Sequence, residues 1–167
     1  MAYRVAVIGC GASKRTEDSR AEELYTSTLF QLSWAYARTF DRWWIASAKF
    51  GLLEPSKVIA PYEAKLGPKD GTIWGRCVAN SIVGELLPSK AFRKETMTPA
   101  EASELYHRDA AAFPLDVEVV LLCGETYANP IATALVDRVH AVSRPLEGLG
   151  LGKRMQWLKA ATARVAA

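Results

Sequence analysis

The sequence holds only two histidines and three cysteines in 167 residues. Cys10, Cys77 and Cys123 are far apart, no C-x-x-C pair occurs, and only His107 and His140 could join them. That spacing excludes a conventional zinc site, and the odd count argues against a disulfide framework. No apolar run approaches the roughly 18 residues that a membrane helix needs. No signal-peptide pattern precedes the first strand-like run, so a cytoplasmic location without membrane contact is expected. A large charge of one sign is also missing, since 21 basic and 18 acidic residues leave a net charge of +3. Lys14-Arg15, Arg93-Lys94 and Lys153-Arg154 are separate pairs, not one basic stripe, so charge alone does not point to nucleic acid. Neither the G-x-x-x-x-G-K-[ST] loop nor the G-x-G-x-x-G fingerprint occurs, and no motif requires a cofactor or a metal. Repeats, low-complexity tracts and linkers are absent as well.

What remains is an ordinary globular composition, 50% hydrophobic and 23% charged, enough to build one core in a single domain spanning residues 1–167. YRVAVI (residues 3–8), RWWIASA (42–48) and DVEVVLLC (116–123) read as buried strands, and residues 139–142 as a short last one. A helical turn is expected at 20–24 and a short strand at Ala91 to Lys94. Helical spacing appears in Leu29, Leu32, Tyr36 and Phe40 and again in Val78, Ile82 and Leu86. Asp70 or Thr72 offers a cap for the second of these, and Pro88 its end. Thr98-Pro99-Ala100-Glu101 has the capping-box pattern and predicts a helix to about Ala112, amphipathic through Ala102, Leu105 and Tyr106. Helices are also expected over 129–138, with Pro130 near the first turn, and from about Lys153, with Met155, Leu158 and Val165 on one face. Residues 49–69 carry so much proline and glycine that a structured loop is expected. Strands alternating with helices predict an α/β fold: a three-layer α/β/α sandwich with a mostly parallel sheet of about four or five strands.

In such a sheet ligands sit beyond the carboxyl ends of the strands, where three polar loops should meet. The first is CGASK. Gly11 lets the backbone approach a ligand, Ser13 can hydrogen-bond to a phosphate, and Lys14 can neutralise it. Cys10 reads as a small residue closing a strand, and as a nucleophile only if Lys14 or a helix N-terminus lowers its pKa. The second loop begins at Ser47 and Lys49, which alternate onto one side as the strand leaves the sheet. A lysine there suits an anionic substrate, and equally a solvated surface. The third is Gly124 to Tyr127, which pairs an acid, Glu125, with an aromatic, Tyr127. IAPYEAKL (59–66) repeats that pairing, with Tyr62 able to stack on a planar ring and Glu63 able to act as a base. A core tyrosine beside a surface glutamate explains the same stretch. The glycine-rich 148–152 segment precedes a helix start and can bind an anion or simply connect elements. His107 and His140 read as surface and core residues without a role.

CGASK, LYTSTLF (24–30), WWIASAKFGLL (43–53), IAPYEAKL and PLEGLGLGKRMQWLK (145–159), taken in order, resemble domain-of-unknown-function family 6884. That family is similar to the YaaA-like proteins. The opening CG-x-x-K also resembles a domain of archaeal tRNA-guanine transglycosylases that has a uracil-DNA-glycosylase-like fold. The resemblance implies an α/β sandwich with its motifs around one pocket, and a link to nucleobase chemistry in DNA modification or repair. The G-x-D-P-Y motif of true uracil-DNA glycosylases is absent, so the resemblance implies their fold and not their mechanism.

These readings converge on an enzyme acting on a nucleobase, nucleoside, nucleotide or modified nucleic acid, at an N-glycosidic bond. Glu63, or failing that Glu125, would be catalytic. Cys10, Gly11, Ser13, Lys14, Ser47, Lys49, Tyr62 and Tyr127 would bind substrate. The alternative is a non-catalytic nucleic-acid-binding domain using Lys14, Lys49, Lys57, Arg93 and Lys153 on phosphates.

Overall fold

Alternating apolar residues on β1 (Tyr3–Gly9) divide between two cores, one on each face of a sheet. Val5 and Val7 join Trp44, Val119 and Leu121 on one face, while Ala6 and Ile8 join Ile45, Val120 and Leu122 on the other. This is the two-residue period of a strand buried on both sides. A computed structural model describes residues 3–67, 69–87, 90 and 97–166. Its elements run β1, β2 (Ser19–Arg20), α1 (Ala21–Leu24), α2 (Thr28–Ala37), β3 (Arg42–Ser47), β4 (Gly51–Leu53) and β5 (Val58–Ile59). They continue with α3 (Gly71–Leu86), α4 (Pro99–Ala111), β6 (Leu115–Leu122), α5 (Glu125–Leu135), β7 (Val139–Ser143) and α6 (Leu151–Val165).

The main sheet has five strands in the order β4-β3-β1-β6-β7. β3, β1, β6 and β7 are parallel, and β4 closes one edge antiparallel to β3. α3 and α5 cover one face through Val78, Ile82, Ile131 and Leu135. α2 and α6 cover the other through Phe30, Tyr36, Leu158 and Ala161. The protein is therefore a three-layer α/β/α sandwich with a mostly parallel sheet.

Several boundaries differ from the sequence reading for identifiable reasons. The 49–69 segment contains β4, because Gly51 adopts φ 68° and turns the chain back onto β3, and β5, which pairs with β2. The loop is three residues, Ala48 to Phe50, followed by a left-handed glycine, a common hairpin geometry. α2 stops at Ala37, short of the expected Phe40. α5 begins at Glu125, four residues before the expected start, so Pro130 lies inside the helix and not in its first turn. The Gly124 carbonyl already accepts the N–H groups of Tyr127 and Ala128, so the turn is formed before the proline arrives. The capping box at Thr98 is present, with Thr98 N–H donating to Glu101 at 2.8 Å, yet α4 buries no residue and Tyr106 is 71% exposed. In α6, Leu158 is buried but Val165 is exposed. His140 is also exposed, because β7 is an edge strand on which Val139 turns inward and its neighbour outward. α3 ends at Leu86 with Leu87 as its cap, while Pro88 and the strand expected at 91–94 lie outside the described residues.

Candidate functional site

β1 lies between β3 and β6, so the chain leaves it for one neighbour and later returns on its other side. α2 follows β1 on one face and α5 follows β6 on the opposite face. Their divergence makes the carboxyl ends of β1 and β6 a topological switch point, the place where ligands bind in open α/β sheets. Cys10 leaves β1 there, and Tyr127 sits in the first turn of α5. The Cys10 Sγ and the Tyr127 hydroxyl meet at 3.7 Å.

The loop after β1 is pinned by strand-like pairing. Arg15 N–H donates to the Leu24 carbonyl at 2.8 Å, and Thr26 N–H to the Ser13 carbonyl at 3.0 Å. Gly11 lies against this second segment, where an added Cβ would stand 3.2 Å from Ser27 Oγ. The pairing sets Lys14 opposite Tyr25 and places its Nζ 4.7 Å from the Tyr62 ring centroid.

The β3–β4 hairpin supplies Ser47, Lys49 and Phe50 to the same tyrosine. Ser47 is fully buried, and its Oγ accepts the backbone N–H groups of Lys49 at 3.2 Å and Phe50 at 3.1 Å. A serine hydroxyl has one proton, so with two N–H groups donating to it that proton points to the Tyr62 hydroxyl, 2.7 Å away. Tyr62 Oη is in turn 2.7 Å from the Tyr25 hydroxyl. The result is a buried hydroxyl chain, Ser47–Tyr62–Tyr25, that locks the hairpin tip to the 59–66 loop. Trp74 extends the lock, donating its indole N–H to the Ser47 carbonyl at 3.0 Å and packing edge-on to Tyr127 at 4.9 Å. Ser47→Ala would leave two backbone N–H groups and a phenol without their buried partner. Urea denaturation should show a loss of about 2 kcal/mol.

The electrostatics of this rim favour negative ligands. Lys49 Nζ is 5.5 Å from the Tyr62 centroid, so two ammonium groups gather at one ring. Lys14 gives one hydrogen bond, to the Ala12 carbonyl at 3.2 Å. Among the described residues neither lysine reaches a carboxylate. The helices α3, α5 and α6 begin without a hydrogen bond from an N-cap side chain, and α5 carries the acidic Glu125 in its first turn. Burial raises the pKa of Tyr25, Tyr62 and Tyr127, with the neighbouring Cys10 raising them further. All three phenols are neutral hydrogen-bond donors at neutral pH. Burial also pushes the Cys123 thiol up to about 12, so it is a packed thiol and no nucleophile. Among the described residues no group of three histidine, cysteine or carboxylate side chains is placed to hold a metal ion.

The profile of a family of unknown function, DUF6884, matches residues 5–93 and 102–160. The chain belongs to this family. "Uncharacterized protein YfjM" of Bacillus subtilis (strain 168) is 28% identical, over 95% of this chain and 94% of the relative. No solved structure matches.

In this DUF6884 protein the fold brings Cys10, Lys14, Ser47, Lys49, Tyr62 and Tyr127 together and leaves other expected residues apart. Tyr62 is only 6% exposed, so it serves as a platform for ammonium groups and offers no open face for stacking. Ser13 is exposed and contributes its backbone carbonyl. Glu125 accepts the Gly148 N–H at 3.1 Å and ties the glycine-rich segment to α5. It also lines a polar groove of about 520 Å³ with Gly67, Gly71 and Thr72, between the starts of α3 and α5. Glu63 is exposed beside buried Tyr62, without a hydrogen bond or ion pair among the described residues. A larger groove of about 770 Å³ follows β7 and the outer side of α5, away from the lysines. Sequence reasoning missed Tyr25, Phe50 and Trp74. Tyr25 and Phe50 lie inside two of the quoted motifs, but nothing local says that their rings meet Tyr62.

Proposed function

We propose that the rim of Lys14, Lys49 and Tyr62 holds the phosphate of a nucleotide or modified nucleic acid. The reaction served is cleavage or exchange at an N-glycosidic bond. One observation carries the binding half: the ammonium groups of Lys14 and Lys49 both lie at the Tyr62 ring, and among the described residues neither reaches a carboxylate. Like charges near one ring repel, and an anion relieves the repulsion. The resemblance of the CG-x-x-K opening to a domain of archaeal tRNA-guanine transglycosylases supports the nucleobase link. Of the two candidate carboxylates, Glu125 is already engaged with Gly148, and Glu63 has no hydrogen bond or ion pair among the described residues. Glu63 is therefore the residue assigned to activate water or to steady a positive sugar.

A thermal-shift screen against bases, nucleosides, nucleotides and short modified DNA tests the reading, with phosphate-bearing compounds expected to raise Tm. On a substrate found this way, Glu63→Gln should lower kcat by about 100-fold with binding unchanged. Full activity in that variant removes Glu63 from the mechanism. Affinity only for long nucleic acid, falling steeply with salt and without turnover, would favour a binding domain instead.

A further inference from the structure

The lysine pair accounts for a negative charge but not for what else the ligand carries. Most aromatic residues of the cluster are committed to contacts within the protein. Tyr25 and Tyr62 are buried, with their hydroxyls in the chain to Ser47. Trp74 and Tyr127 pack on each other. Phe50 alone of this group is open, at 38% exposure, on the tip of the β3–β4 hairpin. Its position is fixed rather than loose. Its own backbone N–H is held by Ser47 Oγ, Gly51 behind it is in the left-handed turn, and its ring meets Tyr62 edge-on at 5.1 Å. Lys49 Nζ lies over the Phe50 ring, 5.1 Å from its centroid, so it takes one face and a planar group would use the other. A rigid, half-open phenyl ring beside an ammonium group that reaches no carboxylate among the described residues offers a preorganised stacking plane.

We propose that Phe50 is the stacking residue of the site, and that the ligand class is a nucleoside monophosphate, with base on Phe50 and phosphate at Lys14 and Lys49. A ligand that satisfies both features carries a planar ring and a negative group a few bonds apart, which is the pattern of a nucleotide. Ribose phosphate alone satisfies only the lysines. This inference rests on the phosphate-binding reading above.

Calorimetric titration of the full chain with AMP, UMP, ribose 5-phosphate and inorganic phosphate separates the two. In the wild type, AMP and UMP should bind more tightly than ribose 5-phosphate. Phe50→Ala should weaken AMP and UMP by about tenfold and leave ribose 5-phosphate and phosphate unchanged. Phe50→Trp should restore or improve nucleotide affinity, which guards against a folding defect in the alanine variant. Equal weakening of all four ligands, or none, overturns the role of Phe50 while the phosphate site stands. Failure of all four to bind the wild type overturns both.

Discussion

Replacing Lys14 and Lys49 together by alanine is expected to weaken a phosphate-bearing ligand by about a thousandfold and to leave the fold nearly as stable. Hydrogen bonds to charged groups contribute about 1.5–3 kcal/mol each, so the loss of two approaches about 4 kcal/mol. Stability should change by less, about 0.5–1 kcal/mol per side chain, because the lysines offer the protein exposed cation–π contacts and, for Lys14, one exposed hydrogen bond to the Ala12 carbonyl. Calorimetric titration and thermal unfolding of the double variant check the two halves. Unaltered affinity would mean that the ammonium groups face solvent for no purpose and that the anion site is elsewhere. The single variants should each lose part of the effect. Their sum should fall short of the double if the lysines share one phosphate.

The second large effect belongs to the scaffold. Gly75 on α3 faces Pro130 on α5 so closely that a Cβ would stand 2.5 Å from Pro130 Cβ, 2.6 Å from its C and 2.8 Å from its O. Two of those atoms are backbone and cannot rotate away. Gly75→Ala must push the helices apart by about 1 Å to reach ordinary contact distances. Alanine favours the helix by about 1 kcal/mol, but overpacking costs about 1–3 kcal/mol and more where backbone must move. A net loss of about 3 kcal/mol is expected in urea denaturation, a large part of a typical domain's stability. Gly75→Val should be worse. Equal or greater stability in Gly75→Ala would show that the helices have slack. Trp74 and Tyr127, which meet across the same helix pair, should move with them and lower ligand affinity.

The strands and most helices were legible because their signals are local. YRVAVI and DVEVVLLC are apolar runs of strand length, and Thr98 to Glu101 carries its own cap. What misled was equally physical. Pro130 reads as a helix start, yet Gly124 had already opened the helix. Tyr106 completes an apolar stripe in sequence, yet α4 finds nothing to bury it against. Within the candidate site, Lys14, Lys49 and Tyr62 could be chosen by residue type and by their place after strands. Tyr25 could not, since its role depends on a hydroxyl 37 residues away.

The sequence by itself determined a parallel α/β sheet, the loops that leave its carboxyl edge, and the polar residues those loops carry. Each follows from patterns a few residues long: alternation, caps, and glycine or proline punctuation. The tertiary structure alone decided which groups meet. Strand order set Cys10 opposite Tyr127, and one buried serine aligned Tyr62 and the hairpin tip that bears Lys49 and Phe50. Contacts between distant segments depend on strand order and helix packing, which no local pattern encodes.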